Sequence, residues 1–309
     1  MKTIHNHPIR LLAFAAGLAC VPPMTHAATW YWIGPGDTSP TNTAYWNSTP
    51  TSGTGQTMSA AGASFSAGDV YDTNKGNKML ITGNFSTGLL LLNGSTIAIR
   101  GTGTRTIGNL EVDAAAGGTL AFDGYNQSAA VVSKFIVTNL NLPGTLRFHN
   151  PGASGSQSGA RNMTYQLANV TGDGLFRLTG ALSGGQRSTI LLSIADQDLT
   201  NDFSVEGVNV TFQSDITTAG TLSLIGTSLS LNLNTHSLVF SSITDGTNFL
   251  ASGTYDSADD LAGTGFENYF SGLSESSTII VSAIPEPSAF ALASGAVVFG
   301  LGLLRRRRS

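Results

Sequence analysis

The sequence predicts an all-β protein, and it favours a β-solenoid of the parallel β-helix type over a β-sandwich. Short runs of Val, Ile, Leu, Phe and Thr alternate with Gly, Asn, Asp and Ser at a spacing of roughly 8 to 13 residues, and no segment sustains a helical period. The chain has 37 Gly and only 11% charged residues among its 309 residues. Stacked coils around a narrow core need few charges or long side chains, which favours the solenoid.

Three segments favour a β-solenoid over a β-sandwich. Residues 89–99, 110–122 and 222–240 each repeat an apolar run, a turn and a second apolar run, with small residues at the corners. A solenoid coil has this pattern, because each strand hides only its inward face. The repeats are degenerate, so the sandwich stays an alternative.

The predicted strands are the apolar runs, and turn residues separate them. They are residues 78–82, 88–92, 95–100, 106–112, 119–122, 131–138, 144–148, 174–179, 188–194, 202–212, 221–225, 228–233, 237–240 and 277–282. The turn signals are Asn74-Lys75-Gly76, Asn93-Gly94, Asp123-Gly124 and Asp245-Gly246. Asn, Asp and Gly tolerate the positive φ that such tight turns require.

The segment before the first predicted strand is rich in aromatic residues. Trp30, Trp32 and Trp46 are the only tryptophans of the chain, and Tyr31 and Tyr45 lie beside them. Large aromatic side chains can cover the open end of a first coil, since terminal repeats are usually atypical. The alternative is a platform on which sugar rings stack.

Three polar segments are predicted to lie outside the regular strands. Residues 34–68 are rich in Thr, Ser, Gly and Pro and are interpreted as loops and edge strands. Residues 150–162 are interpreted as a long loop between two halves of the fold. Residues 253–270 are interpreted as a final cap or short helix.

The first 27 residues have the features of a secretory signal peptide. Lys2 and Arg10 provide positive charge, residues 11–19 form a short apolar run, and Thr25-His26-Ala27 fits a small-x-small cleavage site before Ala28. Cys20 is the single cysteine, and Gly17 three residues earlier argues against a lipoprotein site. Cleavage between Ala27 and Ala28 therefore leaves a mature chain without disulfides.

The last residues have the layout of a sorting tail. The segment 288–304 is 17 residues long and uncharged, and as a helix it spans about 25 Å, near the lower limit for crossing a bilayer. Arg305, Arg306, Arg307 and Arg308 follow it and predict a cytoplasmic C-terminus, with the preceding chain outside. Pro285 and Pro287 disfavour helix upstream.

Pro285-Glu286-Pro287, the apolar run and the arginine cluster together resemble the PEP-CTERM sorting signal of Gram-negative bacteria. The resemblance covers residues 284–309. It implies that an exosortase, a membrane protease-transpeptidase, recognises the tail and processes the chain near Pro285, Glu286 and Pro287. A plain C-terminal membrane anchor is the alternative. The resulting organisation is a signal peptide (1–27), a β-rich extracytoplasmic passenger (28–283) and the tail (284–309).

The passenger resembles the autotransporter-associated β-strand repeats of bacterial surface proteins. Residues 171–180 read Thr-Gly-Asp-Gly-Leu-Phe-Arg-Leu-Thr-Gly, close to the T-G-x-G-x-L-x-L-x-G cadence of those units. The strings Thr29-Trp30-Tyr31-Trp32 and Ala44-Tyr45-Trp46 are similar to the openings of such proteins. No translocating barrel follows, so a complete autotransporter is not expected.

The net charge of the chain argues against a nucleic-acid-binding function. Without the residues of the two signals, the chain has 9 Lys and Arg against 18 Asp and Glu, a net charge of about −9. A nucleic-acid partner is therefore not expected, because phosphate binding requires clustered Lys and Arg.

Few clusters of residues are candidates for a metal-binding or catalytic site. Asp196, Asp198 and Asp202 could offer oxygen ligands to Ca²⁺, but the run lacks the glycine and final glutamate of an EF-hand loop, so a solvated turn is favoured. The cluster of Asp256, Asp259 and Asp260 is interpreted in the same way. The sequence predicts no metal and no cofactor.

One basic constellation remains, formed by Arg147, His149 and Arg161. Polysaccharide lyases and hydrolases on β-helices place carboxylates with Arg or Lys in one groove, so a carbohydrate-active enzyme is an alternative function. A role in a loop or edge strand is favoured for these residues.

The sequence as a whole predicts an exported, noncatalytic surface or matrix protein. Its expected partners are an exosortase, the inner membrane and, by resemblance to proteins with this tail, exopolysaccharide. The alternatives are a carbohydrate-active β-helix enzyme and a carbohydrate-binding adhesin that uses the N-terminal aromatic residues.

Overall fold

A computed structural model describes residues 28–51, 54–74, 78–123, 131–150, 161–180, 188–196 and 198–282. These residues form an all-β protein with parallel sheets, which confirms the predicted class. The predicted signal peptide and sorting tail lie outside the described residues.

The described residues form 24 strands and two 3₁₀ helices. In chain order the strands are β1 (Thr29–Trp32), β2 (Trp46–Asn47), β3 (Val70–Asp72), β4 (Lys78–Leu80), β5 (Phe85–Leu92), β6 (Thr96–Ile99), β7 (Gly103–Val112), β8 (Gly118–Phe122), β9 (Val131–Asn141), β10 (Thr145–Asn150), β11 (Arg161–Leu167), β12 (Val170–Thr171), β13 (Leu175–Gly180), β14 (Thr189–Ile194), β15 (Asp202–Glu206), β16 (Asn209–Phe212), β17 (Ile216–Thr217), β18 (Thr221–Ile225), β19 (Ser230–Asn232), β20 (Leu238–Phe240), β21 (Ser242–Thr244), β22 (Gly253–Tyr255), β23 (Phe270–Ser271) and β24 (Ile279–Val281). The 3₁₀ helices are Thr43–Tyr45 and Asp259–Leu261.

Three sheets contain these strands, and the chain passes from one sheet to the next. Sheet A has 12 strands in the order β2-β1-β3-β5-β7-β9-β11-β14-β16-β19-β23, with β12 beside β9. Sheet B has the order β21-β18-β15-β13-β10-β8-β6-β4, and sheet C has the order β17-β20-β24-β22. From β3 to β21 the chain passes repeatedly from a strand of sheet A to one of sheet B, either directly or after β12, β17 or β20. We call each such pair a coil.

The strand pairing is parallel and in register. Among the described strands, only β1–β2 and β22–β24 pair in the antiparallel direction. Tyr165 of β11, for example, faces Phe135 of β9 and Leu192 of β14. Sandwiches are built from antiparallel sheets, so this pairing argues against that alternative and is compatible with a β-solenoid.

The core is a narrow column between the sheets. In β10, Leu146 and Phe148 are buried and alternate with half-buried Arg147 and His149, as expected for a strand with one inward face. Aromatic rings line the column from one coil to the next. Their centroids lie 6.0 Å apart for Phe135–Tyr165, 4.4 Å for Tyr165–Phe148, 5.8 Å for Phe148–Phe176, 5.0 Å for Phe176–Phe203 and 5.5 Å for Phe203–Phe240.

The first coil is covered by the aromatic plug, which comprises Trp32, Trp46, Tyr71 and Phe85. The ring of Trp46 lies 5.2 Å from Trp32 and 5.4 Å from Tyr71, both edge-on. Its indole Nε1 donates to the carbonyl of Pro40 at 2.7 Å. Since these residues lie at the start of sheet A and fill its open end, the capping interpretation of the N-terminal aromatics is confirmed.

An outer corner of sheet A carries an asparagine ladder with a 30-residue period, formed by Asn109, Asn139 and Asn169. The amide of Asn139 donates to Asn109 Oδ1 at 2.8 Å, and that of Asn169 donates to Asn139 Oδ1 at 2.9 Å. Each exposed amide therefore has its partner on the adjacent coil, which fixes the vertical alignment of the coils at this corner.

Most predicted strands are confirmed, with two corrections. The predicted strand 202–212 is two strands, β15 and β16, because Gly207 adopts a φ of 61° and turns the chain between them. Residues 150–162 do not join two halves, because β11 pairs with β9 on one side and β14 on the other, so the sheet is continuous. The predicted C-terminal cap is confirmed as β22 and the 3₁₀ helix Asp259–Leu261.

Candidate functional site

Charge is distributed unevenly along the chain. Residues 124–195 contain five basic residues (Lys134, Arg147, Arg161, Arg177 and Arg187) and one acidic residue, Asp173, a net charge of +4. Residues 196–282 contain eleven acidic residues and no Lys or Arg. The middle coils are thus a basic region in an otherwise acidic passenger.

The outward side chains of sheet B form two rows along the direction of coil stacking. Because each pair is in register, residues from successive strands lie one above another at the strand spacing of about 4.8 Å. The first row, which we call the polar row, contains Lys78, Thr96, Thr119, Arg147, Arg177, Ser204, Ser223 and Thr244, of which Ser204 is buried. The second row contains Ala121, His149, Thr179, Glu206 and Ile225.

Arg147, His149 and Thr179 form a hydrogen-bonded group at the centre of these rows. Arg147 Nε donates to Thr179 Oγ1 at 2.7 Å, and Arg147 Nη2 lies 3.3 Å from His149 Nδ1. In the contact with Arg147, Nδ1 is the acceptor, because a guanidinium can only donate. Thr179 Oγ1 lies 2.9 Å from Nδ1, and its hydroxyl donates to the carbonyl oxygen of Phe148 at 3.4 Å. The imidazole is therefore held as the Nε2–H tautomer, and the guanidinium is fixed in direction.

The environment keeps this histidine neutral. Burial, and then the positive charge of Arg147, lower the pKa of His149 to about 4. Burial also lowers the pKa of Arg147, and the charge of Arg177 on the next strand acts in the same direction. A guanidinium nevertheless stays protonated.

The positive charges of Arg147 and Arg177 are only partly neutralised by nearby carboxylates. Arg177 Nη2 pairs with Glu206 Oε2 at 2.9 Å, and both side chains are nearly half exposed. Among the described residues, no carboxylate lies within 4.0 Å of the Arg147 guanidinium. The segments 124–130, 151–160 and 181–187, each of which joins sheet B to sheet A, contain no Asp or Glu in their sequence. The group therefore has one positive charge in excess.

We predict that His149 stays neutral across the physiological range and titrates with a midpoint near pH 4. In the unfolded chain a histidine titrates near 6.5, so the unfolded state takes up this proton first as the pH falls. Stability contributed by the neutral imidazole is thus present above about pH 6.5 and is lost between about pH 6.5 and 4. Nitrogen-detected NMR of the imidazole measures both the tautomer and the midpoint.

The control for this titration is the variant His149→Asn, which should flatten the stability profile between those two pH values. A midpoint near 6.5 in the folded protein, or a protonated Nδ1 at pH 7, would contradict the prediction.

The first predicted carboxylate cluster serves the turns between strands. Asp196 Oδ2 accepts a hydrogen bond from the backbone N–H of Val170 at 2.6 Å, and Asp202 Oδ1 accepts from that of Thr221 at 2.7 Å. Asp198 is exposed. The structure therefore places two of the three carboxylates on backbone donors of different coils.

The second carboxylate cluster also stabilises local backbone. Asp260 Oδ2 accepts from the N–H groups of Asp256 and Ser257, both at 3.1 Å, and Asp259 begins the 3₁₀ helix. No three His, Cys, Asp or Glu side chains in the described part of the chain are grouped closely enough to hold a metal ion.

The predicted basic constellation is brought together only in part. Arg147 and His149 are neighbours on sheet B, whereas Arg161 begins β11 in sheet A. Arg177 and Thr179, which complete the group, were not predicted from the sequence. A signal existed: residues 144–149 (Gly-Thr-Leu-Arg-Phe-His) and 174–179 (Gly-Leu-Phe-Arg-Leu-Thr) align at a 30-residue offset.

The N-terminal tryptophans do not form a sugar platform. Trp46 is 0% exposed, Trp32 is 2% exposed and Trp30 is 8% exposed. Stacking on a sugar requires an accessible ring face, so the adhesin version that relied on these rings is wrong.

The predicted sorting residues cannot be placed in the fold. Pro285, Glu286, Pro287, the arginines 305–308 and Ala27 lie outside the described residues, while Ala28 accepts a backbone hydrogen bond from Val70 at 2.9 Å. Within the described part, no helix is long and apolar enough to cross a membrane.

Comparisons with known proteins identified no relative of this chain. No protein family, curated protein or solved structure matches this chain.

Proposed function

We propose that this chain is an exported, noncatalytic protein of the bacterial cell surface or extracellular matrix, built on a β-solenoid scaffold. The observation that carries the proposal is the continuous parallel stack from β3 to β24, which lies between a secretory signal and a sorting tail in the sequence. Such a stack presents long outer faces and gains its stability from contacts between neighbouring coils, without disulfides.

The local chemistry of the outer faces supports a structural role. The exposed amides of the asparagine ladder are paired with each other, and Asp196, Asp202 and Asp260 accept bonds from backbone N–H groups. A general acid or base would instead need a carboxylate free to reach a substrate, with a second group at a defined separation. We therefore favour the noncatalytic role over a carbohydrate-active enzyme.

The C-terminal tail supports the route by which the protein reaches the surface. We propose that an exosortase processes the chain near Pro285-Glu286-Pro287, after the apolar run has held it in the inner membrane with Arg305–Arg308 on the cytoplasmic side.

The test compares the intact chain with a variant that lacks residues 285–309, expressed in a Gram-negative host that has an exosortase. We expect the intact chain at the surface, with a mature C-terminus near residues 285–287 by mass spectrometry. The shortened variant should be released into the periplasm or medium. The substitution Glu286→Ala with the arginines retained is the matched control, and it should leave the chain unprocessed in the inner membrane. Unchanged surface display after the deletion would refute the proposal.

A further inference from the structure

We propose that Arg147 and Arg177 bind the carboxylate groups of an acidic polysaccharide that lies along the polar row of sheet B. This inference rests on the proposed location outside the cell, where the chain would meet such polymers. Nothing in the sorting signals or the repeat resemblance assigns a ligand to these residues.

The positive charge of the two arginines is only partly neutralised by neighbouring residues. The group contains two guanidinium groups, one carboxylate from Glu206 and a neutral His149. Arg147 and Arg177 face each other directly across β10 and β13, so their like charges repel. A bound anion would relieve this repulsion, and the half-buried setting of Arg147 strengthens its attraction for that anion relative to a fully solvated arginine.

The guanidinium of Arg147 is preorganised for binding. Thr179 and His149 hold the Nε and Nη2 atoms of Arg147, so the direction of its guanidinium plane is set before a ligand arrives. A guanidinium has five N–H groups, and only two of those on Arg147 are directed to acceptors among the described residues. The remaining fork matches a carboxylate, which it can bind through two parallel hydrogen bonds.

The length of the polar row favours a polymer. The row continues on both sides of the two arginines, with half-buried Thr96 and Thr119 on one side and, beyond the buried Ser204, half-buried Ser223 on the other. The six strands from Thr96 to Ser223 make a row about 24 Å long at the usual strand spacing. A linear sugar chain that lies parallel to the row could pair carboxylates with the arginines and exchange hydroxyl hydrogen bonds with the flanking residues.

The small number of basic residues argues against a nucleic acid. Residues 196–282, which follow the two arginines in the stack, contain eleven acidic residues and no Lys or Arg. Binding of a nucleic acid, which carries a phosphate at every nucleotide, depends on many basic contacts, and this segment offers none.

The test is binding of the purified full-length chain to immobilised polygalacturonate, measured by biolayer interferometry at two salt concentrations. We expect binding that weakens with salt, and little binding to neutral dextran or to a single-stranded oligonucleotide. The variants Arg147→Gln and Arg177→Gln should each weaken binding by at least about tenfold, as expected when a charge-assisted hydrogen bond is lost. Arg105→Gln is the matched control, because it removes the same charge from sheet A and should change the affinity less than twofold.

A variant that removes the competing carboxylate gives a sharper test. Glu206→Gln removes the one carboxylate that competes for Arg177 and should strengthen binding severalfold, an effect that a merely structural role for the group would not produce. Circular dichroism checks the fold of every variant, and if the arginine variants do not fold, Glu206→Gln decides alone.

Several results would overturn the inference. They are equal binding to dextran, a preference for dextran sulfate or for the oligonucleotide, unchanged affinity in folded Arg147→Gln and Arg177→Gln proteins, and unchanged or weaker binding by Glu206→Gln. These binding measurements do not depend on export, so a failure here leaves the proposed sorting route to its own test.

Discussion

Replacing Trp46 by alanine will lower the free energy of unfolding by about 3–5 kcal/mol and will open the first coils before the rest of the protein. Trp46 is completely buried, and its ring contacts Trp32 and Tyr71 edge-on. The substitution removes this area and also leaves the carbonyl of Pro40 without its indole donor. In a stack whose stability is a sum over neighbouring coils, the damage should stay local.

Hydrogen exchange measures this localisation directly. Amides of β1, β3 and β5 should lose protection in Trp46→Ala, while those of β14 and β16 should keep it. Trp46→Phe is the control, because it retains most of the packing and loses only the donor, so its effect should be smaller. A uniform loss of protection from β1 to β24 would show that the aromatic plug is not a local cap.

Replacing Phe148 by alanine will lower stability by a similar amount, about 3–5 kcal/mol, but with a different unfolding pattern. The Phe148 ring lies between Tyr165 at 4.4 Å and Phe176 at 5.8 Å, in the middle of the aromatic column. A cavity there uncouples the coils on its two sides. Because coupling between neighbours makes the stack cooperative, we expect thermal unfolding to change from one transition to two.

Calorimetry distinguishes one transition from two. Phe249→Ala is the matched control, since this ring is 72% exposed and its loss should change stability by less than about 0.5 kcal/mol. A single, merely shifted transition for Phe148→Ala would indicate that the column does not couple the two sides of the stack.

The sequence predicted strands well where apolar residues alternate strictly with polar ones. In β18, for example, buried Leu222 and Leu224 alternate with half-buried Thr221 and Ser223 and give a clear period of two. Strand β11 was not predicted, because its polar residues Asn162, Thr164 and Gln166 make the segment resemble a polar loop. Its place in the sheet depends on pairing with β9 and β14, and such pairing over long sequence distances is not visible in one strand.

The candidate site was predictable only in part for the same reason. Arg147 and His149 share a strand, so the sequence placed them together. Arg177 and Thr179 join them through a 30-residue register, which depends on the length of the whole coil. Conversely, the short spacing of Asp196, Asp198 and Asp202 suggested a cluster, but the turn directs Asp196 and Asp202 to different coils.

The reversed pairing at the ends of the stack limits polymerisation. A parallel stack with open ends could grow indefinitely, because each terminal strand offers unpaired backbone groups to the next copy. Here sheet A begins with the antiparallel strand β2, and sheet C ends with the antiparallel strand β22. In sheet B, Thr244 of the last strand pairs in the antiparallel direction with Phe249. A second molecule cannot continue the parallel register past β2 or β22, so end-to-end growth into fibrils is hindered at these edges, whereas β23 ends sheet A in the parallel direction.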